Sequence, residues 1–275
     1  MKKSELMEDL VEIVKKTGTV SENTLYYWGY QYTLGKDYIV PHLSKVGVFK
    51  EGYNVAEIGS AEAGVLMAFA QKGAGDLLAT DIVPQRLHDG EQIAKASDLK
   101  IQFVKNDIIN EQIPKEWRGN FDLLILRDVI EHIDNSKKCL KNISKLLKNN
   151  GAIYLTFPPY YSPYGGHQHT LQNFWGKLPY IHLLPDFIFK RLISSGRAPD
   201  KNEVMRLRDI RLNHRKLVKA ARELGLEVIH KDFFFLRPVF KMKFGLPTVK
   251  LNAISFLPCI KDFLSLEAAY ILRKN

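Results

Sequence analysis

The sequence predicts an α/β fold built on a doubly wound, mostly parallel sheet, and three observations carry that prediction. Short β-rich apolar runs alternate with helical patterns over residues 51–157, the signature of βαβ units. The run Phe121-Asp-Leu-Leu-Ile-Leu126 is nearly all apolar, as a strand covered on both faces must be. The runs stop at small or polar residues, among them Gly59, Asp81 and Asn106-Asp107, where a strand hands over to a loop.

Taken in order, residues 1–50 form an N-terminal helical and aromatic cap. Leu6, Leu10, Ile13 and Val14 recur at helix spacing before Gly18, and Tyr26, Tyr27, Trp28, Tyr30, Tyr32 and Tyr38 follow. Residues 51–157 are the core. Asn54–Ile58 is the first strand, and Ala63–Gln71 a helix stopped by Gly73. Asp76–Thr80 is the second strand, followed by a helix opening near Pro84. Ile101–Lys105 is the third and Phe121–Leu126 the fourth. Ser136–Lys148 reads as an amphipathic helix with Leu140, Ile143, Leu146 and Leu147 inward, closed by Asn150-Gly151, and Ala152–Phe157 is the fifth strand. Residues 158–212 combine a Pro, Gly and aromatic loop with an inserted helical cap. Residues 213–275 complete the sheet.

A chain of 275 residues with 45% apolar and 25% charged residues has an ordinary globular composition and fits one large domain. Its 15 Phe, 12 Tyr and 3 Trp supply a core and exclude a disordered or fibrous chain. Two cysteines, Cys139 and Cys259, are too few for a disulfide framework and point to a reducing compartment. Glu5, Glu8, Asp9 and Glu12 spoil a secretory apolar segment, and no run approaches the ~18–20 apolar residues of a membrane span. A cytoplasmic protein is expected. The formal net charge is +10, and the segment from Lys190 to Lys250, with 16 basic and 6 acidic residues, carries all of it. Such a surface attracts anions, but charge without a motif is equally well a solvated helical face.

In an open doubly wound sheet the ligand lies outside the carboxyl ends of the strands. Gly59, Ala61, Ala63 and Gly64 are small residues that let a backbone approach a ligand and turn into a helix whose N–H groups face it. Asp81, ending the second strand, is placed to accept hydrogen bonds from both hydroxyls of a ribose. Together they describe an adenosine-containing cofactor.

These residues resemble the motifs of the class I S-adenosylmethionine-dependent methyltransferases, the small-molecule type 11/12 group. Glu57-Ile-Gly-Ser-Ala-Glu-Ala-Gly64 resembles the family's acidic-x-Gly-x-Gly-x-Gly motif, with Ala61 and Ala63 in place of two glycines. Asp81 matches the acid after strand two, Asn106-Asp107 the polar pair after strand three, and Asp128-Val-Ile-Glu-His132 the motif after strand four. His214–Leu224 with Gly225-Leu-Glu-Val-Ile looks like the last helix and strand six, and Glu267-Ala-Ala-Tyr-Ile-Leu-Arg-Lys like an antiparallel strand seven. The resemblance implies a seven-stranded Rossmann-like methyltransferase fold and S-adenosylmethionine as cofactor. Its contacts would come from Glu57, Gly59, Ser60, Ala61, Gly64, Asp81, Ile82, Asn106, Asp107, Ile108, Arg127, Asp128 and His132. A dinucleotide oxidoreductase also has small residues and an acid here, but Gly59, Ala61 and Gly64 fit its fingerprint only in part. A binding or scaffold protein for an adenosyl ligand is the reading from a different class.

The acceptor is expected over strands four and five, where Phe157-Pro-Pro-Tyr-Tyr-Ser-Pro-Tyr-Gly-Gly-His-Gln-His169 follows. Tyr160, Tyr161, Tyr164, His167, Gln168 and His169 are the candidate substrate residues, and His167 the candidate general base for an oxygen acceptor. His167 and His169 lack a third ligand at suitable spacing, so no metal is expected. Pro158-Pro159-Tyr160 resembles the base-holding motif of nucleic-acid amino-methyltransferases, but Phe157 replaces its polar residue, which argues against a nucleic-acid substrate. Trp175, Tyr180, Leu183, Leu184, Phe187, Ile188 and Phe189 would line the inserted cap, with Arg191, Arg197, Arg206, Arg208 and Arg211 at its rim for an anionic acceptor. Phe233–Phe240, Phe244 and Phe256-Leu257 suit a membrane-surface or dimer patch, though core strand six explains part of them more simply.

Overall fold

The computed structural model describes residues 10–254 and 256–274; Leu6 of the first helical pattern and the side chain of Cys259 lie outside what it describes. The chain divides into two compact units, Met1–Leu126 with Leu146–Ala152, and Arg127–Lys145 with Ile153–Asn275.

In the first unit, β1 (Val55–Ile58) pairs in parallel with β2 (Leu77–Asp81) and β4 (Phe121–Arg127), and β2 with β3 (Gln102–Lys105). The order β3-β2-β1-β4 reverses its winding between β1 and β4, which puts a topological switch point at the end of β1. β1 and β2 are buried at every position, so their runs carry Val, Ala, Ile and Leu without alternation.

Among the described residues, that unit also holds five α-helices: α1 (Leu10–Thr17), α2 (Glu22–Leu34), α3 (Val40–Lys45), α4 (Gly64–Gln71) and α5 (Pro84–Ala96). Leu10 and Val14, one turn apart, are the buried residues of α1. Ser21 caps α2 by accepting from the Thr24 amide at 3.1 Å. Trp28 and Tyr32 of α2 are buried and stacked, 5.4 Å between ring centroids, and the Trp28 indole N–H donates to the Met67 sulfur of α4 at 3.2 Å. The N-terminal aromatics are thus divided: Tyr26 and Tyr27 are exposed, whereas Trp28 and Tyr32 build core against α4. Gly64 is needed for that packing, because a Cβ there would meet the Trp28 carbonyl oxygen at 2.8 Å and the Tyr32 amide nitrogen at 2.9 Å.

The Ser136–Lys148 pattern resolves differently from its prediction. The helix α6 spans only Ser136–Ile143, and β5 begins at Leu147 and runs to Phe157. Leu140, Ile143, Leu146 and Leu147 are all buried as their spacing implied. The Leu146 carbonyl, however, accepts from the Asn120 and Phe121 amides, which commits the segment to the edge of β4 rather than to another helical turn.

In the second unit the order is β5-β8-β6-β7. β6 (Leu226–Leu236) pairs antiparallel with β8 (Glu267–Lys274), from Leu226 opposite Lys274 to Phe234 opposite Glu267. A two-residue strand β7 (Val249–Lys250) adds to β6, so eight strands occur among the described residues rather than seven. Phe233 and Phe234 are core residues of β6, while Phe235, Phe244, Phe256 and Leu257 are exposed. Helices α7 (Asp186–Ile193), α8 (Ala198–Ile210) and α9 (His214–Glu223) follow β5, with α10 (Val239–Phe244) and α11 (Pro258–Leu264) between the last strands. Leu171, Ile181, Phe189, Ile193 and Val204 form a small core of their own. Two residues expected inside it are not: Trp175 is 43% and Phe187 75% exposed, since α7 turns only its Phe189 and Ile193 side inward. Among the described residues no helix is long and apolar enough to cross a membrane.

Candidate active site

At the switch point of the first unit, the loop after β1 is held by its own carboxylates. Glu57 is buried and its Oε2 accepts from the Leu66 amide at 3.1 Å, which places an acid at the positive end of α4. Asp81 Oδ2 accepts from the Ala61 amide and its Oδ1 from the Val83 amide, each at 2.9 Å. The Gly59 and Ser60 amides both donate to the Thr80 carbonyl, and the Ala63 amide to Ser60. Most of the loop N–H groups expected to face a ligand are therefore already spent on the loop itself. Gly59, Ala61 and Ala63 all have positive φ, 69°, 50° and 58°. The two alanines sit in the left-handed region that the family fills with glycine, at a cost on the order of 1 kcal/mol each. At Gly64, by contrast, a Cβ would meet the α2 backbone.

Two features of these strand ends stay open to a ligand. Asn106 is buried and its Oδ1 has no hydrogen-bond partner among the described residues, while its Nδ2 donates to Glu111 at 3.2 Å. Ile82, directly after Asp81, is 63% exposed, an apolar surface beside a carboxylate. Asp107 closes a turn, accepting from the Ile109 and Asn110 amides, and Ile108 is buried.

The remaining motif residues lie in the second unit and form a charged cluster, with Glu131 buried and Asp128 and His132 half-buried. Asp128 takes φ 53° and receives Arg237 on Oδ2 at 2.5 Å, with Arg127 at 3.8 Å. Arg237 also donates to Glu267 at 2.9 Å. Burial works against ionisation of Asp128, but the Arg237 and Arg127 guanidiniums hold its carboxyl below the ordinary range. Burial opposes the charge on Arg237 as well, and the two carboxylates raise its pKa regardless. Sequence reasoning missed Arg237 and Glu267. Their signal was a charged residue at the end of one apolar strand run and at the start of another.

Glu131, from the same motif, has its pKa pushed well up by burial and then by the Asp128 carboxylate. Neither of its oxygens has a hydrogen-bond partner among the described residues. His132 Nε2 and His167 Nε2 each stand 3.9 Å from Glu131 Oε1, and the two rings meet edge-on with centroids 4.8 Å apart. His132 Nδ1 donates to Glu203 of α8 at 2.6 Å. Burial, then His132 and His169, drive the His167 pKa down to about 3. The imidazole is neutral at pH 7 but a weak base, so His167 acting alone is poorly suited to the proton abstraction expected of it.

The acceptor loop is folded by its own polar groups. The Tyr160 hydroxyl donates to the His182 carbonyl at 3.1 Å, Tyr164 to Lys177 at 2.9 Å, and the buried Gln168 to Pro163 at 2.8 Å. Tyr161 packs against Tyr160 and Phe263, and His169 against Tyr164. The Tyr160 and Tyr164 hydroxyls and the Gln168 amide N–H are thus engaged within the chain, while Gln168 Oε1 has no hydrogen-bond partner among the described residues. Phe157 is buried and stacked on Tyr270, with centroids 6.3 Å apart, so the base-holding motif has no polar residue there. The rim arginines are largely paired within the chain: Arg197 with Asp200, Arg206 with Glu203, Arg208 with Asp186, and Arg211 on the Arg208 carbonyl. An anionic acceptor therefore has little support from Arg197, Arg206 and Arg208, which are paired with carboxylates of the chain itself.

Residues 49–179 match the family model described as a methyltransferase domain. A comparison with curated protein sequences finds no match. Among solved structures, the chain is similar to a protein from Galdieria sulphuraria proposed to be a sarcosine dimethylglycine methyltransferase, at TM-score 0.58 and 13% identity over 87% of this chain and 85% of that one. It is similar to an S-adenosylmethionine-dependent methyltransferase from Clostridium acetobutylicum, at TM-score 0.56 and 14% identity over 89% and 92%. A geranyl diphosphate methyltransferase aligns at TM-score 0.54 and 10% identity over 88% and 79%. At these identities the likeness is one of fold. Residues 49–179, which span the β1–β5 stretch and its strand-end motif residues, match a methyltransferase domain.

Proposed function

We propose that the chain methylates a hydroxyl oxygen of a small-molecule acceptor. S-adenosylmethionine supplies an electrophilic methyl group on a sulfonium. The first unit has groups that suit this cofactor. Asp81 uses one lone pair of each oxygen on the loop and keeps others for two ribose hydroxyls. Asn106 Oδ1 is a buried acceptor without a donor, matched to an adenine amino group, and the exposed Ile82 offers an apolar face to the ring. Gly59, Ser60 and Ala61 line the turn beside them.

One observation carries the oxygen reading: Glu131, His132 and His167 gather three proton-accepting atoms in one place. A hydroxyl is a poor nucleophile until its proton is drawn off, whereas a neutral amine attacks unaided. A cluster of this kind serves the first acceptor and is superfluous for the second. Positioning and water exclusion supply the rest of the rate. The test is a panel of hydroxylated, amine and thiol small molecules incubated with methyl-labelled cofactor and read by mass spectrometry. Label on oxygen is expected, and label confined to amines or to nucleic acid refutes the proposal.

A further inference from the structure

We infer that the second unit holds a divalent transition-metal ion of the zinc type between Glu131, His132 and His167, with Glu203 positioning His132. The three ligand atoms lie within 4.8 Å of one another. Metal bonds of about 2.1 Å set tetrahedral ligand atoms roughly 3.4 Å apart, so side-chain adjustments of about 0.5–1.4 Å close the set.

The groups around that point leave it without a hydrogen-bond donor to Glu131 among the described residues. His132 Nδ1 bonds Glu203 at 2.6 Å, and its Nε2 is the ring nitrogen that faces Glu131. His167 Nε2 faces the same carboxylate oxygen at the same 3.9 Å. Three potential ligand atoms thus converge, and neither Glu131 oxygen has a hydrogen-bond partner among the described residues. The neighbouring cations cannot serve, because Arg237 bonds Asp128 and Glu267 while Arg127 lies against Asp128. Glu131 is 2% exposed and both its oxygens lack hydrogen bonds among the described residues. A cation bound by all three satisfies the carboxylate and both lone pairs at once.

Ligand chemistry sets the class of ion. Two imidazoles and one carboxylate favour zinc and its first-row neighbours over magnesium or calcium, which prefer all-oxygen sets. The carboxylate on His132 Nδ1 is the outer-shell partner that metal-bound histidines commonly have. The side chains of His132 and His167 are 33% and 15% exposed, so an ion can enter and keep a coordination position for a small molecule. As the activating group for the acceptor it rests on the oxygen reading above, but ligation itself does not.

The test uses the full chain, stripped with a chelator and titrated with Co²⁺ under visible absorption. Saturation at a single ion per chain is expected, with the absorption lost in Glu131→Gln and in His167→Ala while circular dichroism is unchanged. Glu203→Gln should weaken binding roughly 10–100-fold and preserve the spectrum, which a merely structural role would not produce. Unsaturable absorption, or absorption in Glu131→Gln and His167→Ala as strong as in the unmutated chain, overturns the site. Should those variants fail to fold, spin-echo measurements on the Cu²⁺-loaded unmutated chain decide: two coordinated imidazoles support the site and fewer overturn it. S-adenosylhomocysteine calorimetry in parallel reads the cofactor alone, so a failure there is told apart from a failure of the metal site.

Discussion

Asp81→Asn separates the two roles that one carboxylate is given. Its oxygens accept from the Ala61 and Val83 amides at 2.9 Å each, and asparagine keeps only one of them as an acceptor. The other position becomes an NH₂ facing an N–H donor. Losing one charge-assisted bond in a site only 8% exposed costs about 1.5–3 kcal/mol of stability. For a chain of this size that lowers the Tm by roughly 3–12 °C. A ribose hydroxyl deprived of the same charge weakens cofactor binding by a similar energy, about 10–150-fold in Kd. Differential scanning calorimetry of the unliganded protein and isothermal titration with S-adenosylmethionine read the two separately. A lowered Tm with an unchanged Kd refutes the ribose role and leaves Asp81 as a brace for its loop.

Three further outcomes are expected. Arg237→Met strands Asp128 and Glu267 without their shared cation and should cost about 3–5 kcal/mol at pH 7, as breaking a buried pair does; chemical denaturation showing under about 1 kcal/mol would mean the pairs behave like surface bridges. Gly64→Ala pushes a methyl to within 2.8 Å of the Trp28 carbonyl and should lower stability by about 1–3 kcal/mol through repacking of α2 on α4, with a neutral melting temperature as the contrary result. Burial lowers His182 and His214 to about 4, so the unfolded chain binds protons that the folded one refuses between pH 6.5 and 4. Stability should therefore fall as pH drops through that window, by roughly 3 kcal/mol per histidine at its lower end. Denaturation curves that stay flat from pH 6.5 to 5 would contradict the burial of both rings.

Periodicity sufficed wherever local pattern and burial agree. The strands near Val55–Ile58, Leu77–Asp81 and Phe121–Arg127 were legible because strands covered on both faces need uninterrupted apolar runs. Pattern was insufficient at Leu146 and Leu147, whose burial suits a helix and a strand alike and was decided by hydrogen bonds to Asn120 and Phe121. The small-residue loop and Asp81 were legible as a ligand site, but a sequence does not show that the loop's own amides take up both carboxylate oxygens.

By itself the sequence determined the α/β class, the strand ends and the candidate cofactor acid at position 81, because each depends on residues near one another along the chain. Tertiary structure alone decided the partners of charge. Arg237 joins Asp128 across 109 positions, and Glu203 meets His132 across 71. It likewise brought Glu131 and His167 together, and gave Arg208 and the Tyr160 hydroxyl partners within the chain. A buried charge or lone pair must be answered by whatever group the fold brings within reach, and nothing in local spacing encodes which group that is.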